Sequence, residues 1–202
     1  MQNIYRRLNR PKFKLSILIC SLPNRLDTLY DLVLDLENQS RNKNVQILYL
    51  GDNKSLTVGE KRNLLLDASS GEYITFIDDD DVVSADYIDS VLEGLKTEKN
   101  VITFEVRITN EEKEDIPYIF GKTERGHRVQ HKGKQYKKVM PNHLCVWKKE
   151  IIKERFPHIN LSEDWKWAKL MLEHYTDADI HNIDKVLYHY KFNPFTSETR
   201  RK

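Results

Sequence analysis

The stretch GEYITFIDDDD, Gly71 to Asp81, sets an apolar run directly against four carboxylates. Tyr73–Ile77 is rich in aromatic and β-branched residues, which predicts a short buried strand. Aspartate is a poor strand former and adjacent carboxylates repel, so the strand ends at Asp78 and the acidic cluster needs a cation or full solvation. In an extended chain Asp78 and Asp80 project to one side. Such a pair of hard oxygen ligands suits Mg²⁺ or Mn²⁺, above all when a diphosphate completes the octahedron. The competing reading is an acidic turn that caps the helix after it, where negative charge is favoured. An EF-hand is excluded, because Val82 and Val83 stand where oxygen ligands are required and the glycine is missing.

Outward from this stretch, strands and helices alternate. Leu15–Cys20 predicts a strand ended by Ser21-Leu22-Pro23-Asn24, and Arg25–Asn38 a helix with Leu26, Leu29, Tyr30, Val33 and Leu36 at helical spacing. Val45–Leu50 is a second strand, stopped by Gly51-Asp52-Asn53. A helix from about Val58 to Ala68 closes on Ser69-Ser70-Gly71, with the glycine suited to a left-handed position. Beyond the acidic cluster, Ser84 is placed to cap a helix with Tyr87, Ile88, Val91, Leu92 and Leu95 on its apolar side, and Val101–Ile108 is the next strand. Short connections between alternating elements define βαβ units, so the fold class is α/β, with a Rossmann-like, mostly parallel twisted sheet flanked by helices. Ligands of such sheets bind beyond the carboxyl ends of the strands. Ser21–Asn24, Gly51–Ser55 and Asp78–Asp81 are therefore expected on one rim.

The second half is less regular. Residues 109–140 lack periodicity, and between Gly121 and Lys138 lie seven Lys/Arg, two His and one Glu, which reads as a mobile or ligand-ordered basic loop. His143–Trp147 predicts a strand, Lys148–Arg155 a short helix, Ser162 the cap of a helix through Tyr175, and Lys185–Tyr190 a last strand before a polar tail ending Arg200-Arg201-Lys202. In Ser162-Glu163-Asp164-Trp165 the acids suit a helix N-terminus, and equally suit a carboxylate that takes a proton from a sugar or alcohol hydroxyl. Trp165 and Trp167 offer either an apolar platform beside it or plain packing.

The chain has 202 residues, a mass of 24.0 kDa, 39% hydrophobic and 32% charged residues, and a mean hydropathy of −0.66, which excludes a membrane-resident protein. The opening MQNIYRRLNRPKFK is basic but lacks the apolar run and cleavage site of a secretory leader. A cytoplasmic location is expected, with peripheral contact at a membrane surface left open. Cys20 and Cys145 suit reduced, buried thiols. GxxxxGK[ST], HExxH and Cys-rich zinc patterns are absent from the sequence. Charge is divided unevenly. Residues 1–14 carry five basic and no acidic side chains, residues 15–120 ten basic against 21 acidic, and residues 121–202 18 basic against ten acidic. That division fits a cleft where carboxylates hold a cation and lysines meet an anion, or two solvated faces of opposite sign.

The ordered elements CSLPNR, LYLGD, EKRN, GEYITFIDDDD, LSEDWKW and VLYHYKFNPFTS resemble inverting family 2 glycosyltransferases, which have the GT-A fold. The likeness is close over residues 15–95 and weaker over 141–198. With the basic segment 1–14 and the basic loop region 109–140 read from charge, it implies a single domain 15–202 made of a nucleotide-sugar-binding half (15–108), that loop region, and a smaller acceptor-binding half with the tail (141–202). It implies a sugar transferred from a nucleoside diphosphate sugar, a UDP-sugar above all, to an acceptor hydroxyl with inversion and with help from Mn²⁺ or Mg²⁺. Pro23 and Asp52 would contact the nucleotide, Arg62 would lie near it, Asp78 would bind ribose and also serve as a metal ligand, and Asp80 would bind the metal. Asp164 would be the general base, with Glu163 the competing choice, and His189 a third metal ligand or phosphate contact. Gly51 departs from the family, which often has an acid before the aspartate, and the longer C-terminal extension of many members is expected to be missing. The expected acceptor is a glycan or other anionic molecule, such as a lipid-linked intermediate, and in second place a hydroxylated base of DNA. A nucleotidyltransferase and a non-catalytic nucleotide-binding module are the readings from other classes.

Overall fold

The computed structural model describes residues 12–109 and 116–191. Most of the basic N-terminal segment and the tail with Arg200-Arg201-Lys202 lie outside the described residues. The first half follows the predicted alternation: β1 (Phe13–Ser21), α1 (Leu26–Ser40), β2 (Val45–Gly51), α2 (Val58–Ala68), β3 (Gly71–Phe76), the short β4 (Val82–Val83), α3 (Tyr87–Gly94) and β5 (Val101–Thr109). Then come β6 (Tyr118–Phe120), β7 (His127–His131), β8 (Lys134–Val139), β9 (Val146–Lys148), α4 (Glu163–Met171) and β10 (Ile180–Lys191).

β1 lies between β2 and β3 and is parallel to both, while β9 runs antiparallel between β3 and β5. β3 and β5 therefore point the same way, and β10 runs parallel to β5 along its whole length. With one edge of β5 taken by β10, its other edge holds β9 at Val101–Ile102 and then β6 at Val106. β6 thus extends the sheet past the carboxyl end of β3. β8 pairs with β6, and β7 with β8. Leu15, Ile17, Ile74, Phe76, Val101 and Phe104 are fully buried or nearly so, because both faces of this sheet are covered and its strands read as continuous apolar runs.

Several local expectations give way to tertiary contacts. Gly71 does not end α2 in a left-handed conformation; it opens β3, where a Cβ would stand 2.5 Å from the Ser16 amide nitrogen. Asp86, not Ser84, occupies the cap position of α3 and makes no side-chain capping bond. The basic region is no simple loop, since β6, β7 and β8 pair within it. Only Val146–Lys148 of the segment predicted from His143 is a strand, Lys149–Ile151 is a single 3₁₀ turn, and α4 ends at Met171. β10 begins at Ile180, earlier than predicted, because β5 supplies it with a partner edge along its length.

Candidate active site

The carboxyl ends of β1 and β3, the start of α2 and the segment before α4 enclose a cavity of about 340 Å³. Its acidic and basic lining comes from Arg25, Lys61, Arg62, Asp78, Asp79, Asp80, His143, Glu163 and Asp164, and its apolar wall from Val106, Ile108, Tyr118, Phe120 and Tyr190. Beside it a shallower depression of about 420 Å³ is lined by Pro23, Tyr49 and Asp52. Ser21 and Leu22 border both.

The first turns of α2 organise this rim. Thr57 and Glu60 form a reciprocal capping box. Successive helical residues point about 100° apart, so the next three side chains reach three different elements. Lys61, buried, sets its ammonium 2.9 Å from Asp52 Oδ1 and donates to the Ser21 carbonyl at 3.0 Å. Arg62, also buried, donates from Nη2 to Asp78 Oδ1 at 3.1 Å and from Nε to Glu163 Oε1 at 3.3 Å, with its guanidinium against the rings of Phe76 and Phe156. Asn63 exchanges two hydrogen bonds with the backbone of Phe156, at 2.8 and 3.0 Å. Buried charges persist only when paired, and these pairs tie the two halves of the chain together. The Lys61 ammonium and the Leu56 amide hold the Asp52 carboxyl well below the usual carboxylate range.

The four aspartates have separate surroundings. The Asp81 amide donates to the Asp78 carbonyl at 3.1 Å, so the chain turns here and the extended geometry assumed for Asp78 and Asp80 does not hold. Both nevertheless line the cavity. Burial by itself raises the Asp78 carboxyl, but His143 and Arg62 outweigh it and hold the group low. Asp79 is buried, accepting from Ser21 Oγ at 2.7 Å and from Arg25 Nη1 at 2.8 Å. Asp81 is tied to β10, accepting from the Tyr188 hydroxyl at 2.6 Å and the Lys191 amide at 2.8 Å, while the Asp78 amide donates to the same hydroxyl. Asp80, 3.0 Å from Arg25, keeps 29% of its side chain exposed. Burial, with Asp78 and Asp79 adding to it against the pull of Arg25, pushes its carboxyl up to about 6.

Concentrated negative charge of this kind is relieved by a cation. Among the described residues no three His, Cys, Asp or Glu side chains converge to hold a metal alone. Mg²⁺ and Mn²⁺ sites built from one carboxylate, waters and substrate phosphates need no such cluster, and Asp80 fits that chemistry. His189 does not reach the cavity. Its neighbours Tyr188 and Tyr190 face Asp81 and the cavity respectively, and alternation along β10 sends the residue between them the other way.

α4 separates the two acids of the Glu163-Asp164 pair. Ser162 precedes it with a left-handed φ of 61° and makes no capping bond. Glu163 is buried against Arg62, and burial raises its carboxyl despite that partner. Asp164 keeps 36% of its side chain exposed at the cavity. Trp167 is core, stacked on Phe156 at 4.6 Å and edge-on to Trp147, whereas Trp165 is half-exposed.

His143 is the residue that sequence reasoning passed over. Its turn is fixed by Asn142, whose carbonyl and side chain accept from Cys145, Trp147 and Leu144, and its own carbonyl accepts from Phe76. The buried ring places Nε2 3.3 Å from Asp78 Oδ2 and Nδ1 3.6 Å from Asp164 Oδ2. A continuous line of side-chain contacts, Glu163–Arg62–Asp78–His143–Asp164, results. Lys61 and Arg25 likewise carry no signal of their role in the sequence; a buried lysine in an amphipathic helix leaves no trace in hydropathy periodicity.

A twisted α/β sheet with an acidic strand end and a second carboxylate facing it across a cavity defines the GT-A class of nucleotide-sugar-binding folds. Residues 24–156 match Glycosyl transferase family 2, and the chain belongs to that family. Among solved structures it resembles S. aureus TarS 1–349, with a TM-score of 0.62 and 15% identity, covering 89% of this chain and 60% of that one. The same S. aureus fragment in complex with UDP-GlcNAc aligns with a TM-score of 0.57 and 16% identity, covering 90% and 59% of the two chains. Its complex with UDP gives a TM-score of 0.57 and 16% identity, over 90% and 61%. The chain thus spans about 60% of the length of these structures. No curated protein matches it.

Proposed function

We propose that this protein transfers a sugar from a nucleoside diphosphate sugar to an acceptor hydroxyl, inverting the anomeric configuration. One observation carries the reading: Asp80 and Asp164, from opposite halves of the chain, line the same cavity at the strand ends. Family membership and the UDP and UDP-GlcNAc complexes of S. aureus TarS support a UDP-sugar as donor. In this reading the base lies by Pro23 and Asp52, the ribose by Asp78, and the diphosphate by Asp80. Arg62 acts from behind, holding Asp78 and Glu163.

Asp164 accepts the proton of the acceptor hydroxyl as its oxygen bonds to the anomeric carbon. The bond from that carbon to the diphosphate oxygen breaks on the opposite face, and the nucleoside diphosphate departs with the electron pair. Asp80 would hold Mn²⁺ or Mg²⁺, which would supply electrophilic stabilisation of that leaving group. Glu163 serves as partner of Arg62 and not as base. The basic second half of the sequence favours an anionic glycan acceptor. The basic second half of the sequence fits a protein that works in the cytoplasm, at most peripheral to a membrane; among the described residues no helix is long and apolar enough to cross one.

The test is a screen of nucleotide-sugars for hydrolysis and transfer with and without Mn²⁺. Release of a nucleoside diphosphate supports the proposal. Release of pyrophosphate points to a nucleotidyltransferase, and saturable nucleotide binding without turnover to a binding module.

A further inference from the structure

The strands β6, β8 and β7 are held in a register that continues one wall of the cavity outward. Tyr118 and Phe120 of β6 both line the cavity and so share a face. Tyr118 stands opposite Lys137 of β8, and Lys137 opposite Arg128 of β7. Paired residues of neighbouring strands point the same way, so Tyr118, Lys137 and Arg128 form one strip, followed along the hairpin by the pair Gln130 and Gln135. The Lys137 ammonium lies 5.2 Å from the centre of the Tyr118 ring.

Like charges directly opposite each other weaken a sheet, yet this hairpin sets Arg128 across from Lys137. Among the described residues neither side chain has a carboxylate partner. By contrast, Lys132 and His131 at the hairpin tip are matched by Asp184. Among the described residues this cation pair is uncompensated, and on a strip that leads into a transferase cavity such a pair favours an anionic ligand.

We propose that this strip is an acceptor platform for a phosphate-bearing glycan, with a phosphate group between Lys137 and Arg128, sugar hydroxyls on the Gln130 and Gln135 amides, and the reacting hydroxyl carried past Tyr118 to Asp164. The inference rests on the glycosyltransferase reading and names its acceptor. Duplex DNA is the less suited anion, because its affinity comes from several phosphate contacts in a row, whereas this face offers one cation pair and then two amides.

The experiment titrates the full chain with glucose 6-phosphate, with glucose, and with a short DNA duplex, following backbone amide shifts by NMR. Two double variants are compared: Lys137→Gln with Arg128→Gln on the strip, and Lys134→Gln with Lys138→Gln on the opposite face of the same hairpin. The proposal expects saturable glucose 6-phosphate shifts at Tyr118, Arg128 and Lys137, at least tenfold weaker binding in the first variant, and less than twofold change in the second. Equal loss in both variants, or loss in neither, overturns it. Tighter binding of the duplex than of glucose 6-phosphate through the same strip overturns the ligand class. UDP-sugar hydrolysis by the unaltered protein is measured separately, so failure of the platform is distinguishable from failure of the glycosyltransferase reading.

Discussion

His143 stands beside Asp164 with its Nδ1 3.6 Å from the aspartate's Oδ2, while the opposite ring nitrogen lies 3.3 Å from Asp78. One rigid imidazole therefore touches the carboxylate assigned to the donor and the carboxylate assigned to the acceptor. The amide nitrogen of asparagine occupies the place of Nδ1 and that of glutamine the place of Nε2, so the two contacts are separable by substitution. His143→Gln keeps the Asp78 side and is expected to lower kcat for transfer by up to about 100-fold with donor KM little changed. His143→Asn keeps the Asp164 side and is expected to raise donor KM instead. Steady-state kinetics with both variants check this, and identical effects would reduce His143 to packing.

Asp80 and Asp164 are predicted to fail differently. Asp80→Ala, or removal of divalent ions with EDTA, should abolish both donor hydrolysis and transfer. Asp164→Asn should leave nucleotide binding, measured by calorimetry, within about twofold while transfer falls by about 100-fold or more. Wild-type turnover by Asp164→Asn would show that another group takes the proton.

Arg62 is surrounded by Asp78, Glu163, Phe76 and Phe156. Arg62→Met removes the cation and leaves Glu163 buried without its partner, which is expected to destabilise the fold by about 3 kcal/mol. Arg62→Lys keeps the charge but not the fork that reaches both acids, so an intermediate loss is expected. Denaturant unfolding measures both; equal stability of Met and Arg at this position would mean that the bridge contributes nothing net.

Gly59 meets the other half of the chain at close range, and a Cβ there would stand 1.8 Å from the Pro157 carbonyl oxygen. Its amide also donates to the Ile159 carbonyl at 3.2 Å. Gly59→Ala raises helix propensity, but backbone must move to admit the methyl, so a loss of about 1–3 kcal/mol is expected. A rise in melting temperature would contradict this packing.

Asp52 makes stability depend on acid. Its carboxyl is held below its unfolded value of about 3.9, so the stabilisation is fully present above that pH and is lost as pH falls through the lower folded value. Asp52→Asn lacks this dependence. The melting temperature of the variant should lie below that of the wild type at pH 7, and the gap should narrow as pH falls below about 4. A gap that stays constant down to pH 2 would exclude the Lys61–Asp52 pair as its source.

Much of this molecule is written locally. The runs Leu15–Cys20 and Tyr73–Ile77 are apolar because their strands are covered on both faces, and α2 falls at Val58–Ala68 as predicted because Thr57 and Glu60 supply its cap within four residues. The placement of Pro23, Asp52, Asp78 and Asp80 at strand ends follows from the same alternation, since parallel strands bring their carboxyl ends to one rim. Residue chemistry and spacing were sufficient there.

Tertiary structure alone decided how those groups divide their work. Sequence could not separate Glu163 from Asp164, because adjacent acids look alike until Arg62, 101 positions away, claims one of them and leaves the other at the cavity. It could not foresee that the chain turns between Asp78 and Asp81, since that turn is held by β10, where Tyr188 bridges the two aspartates from more than a hundred residues away. His143 and the strip through Tyr118, Lys137 and Arg128 carry no periodic signal either. Hydropathy records which residues leave water, whereas the pairing of a buried charge or a sheet edge depends on a partner distant in the chain, and only the folded backbone brings that partner within reach.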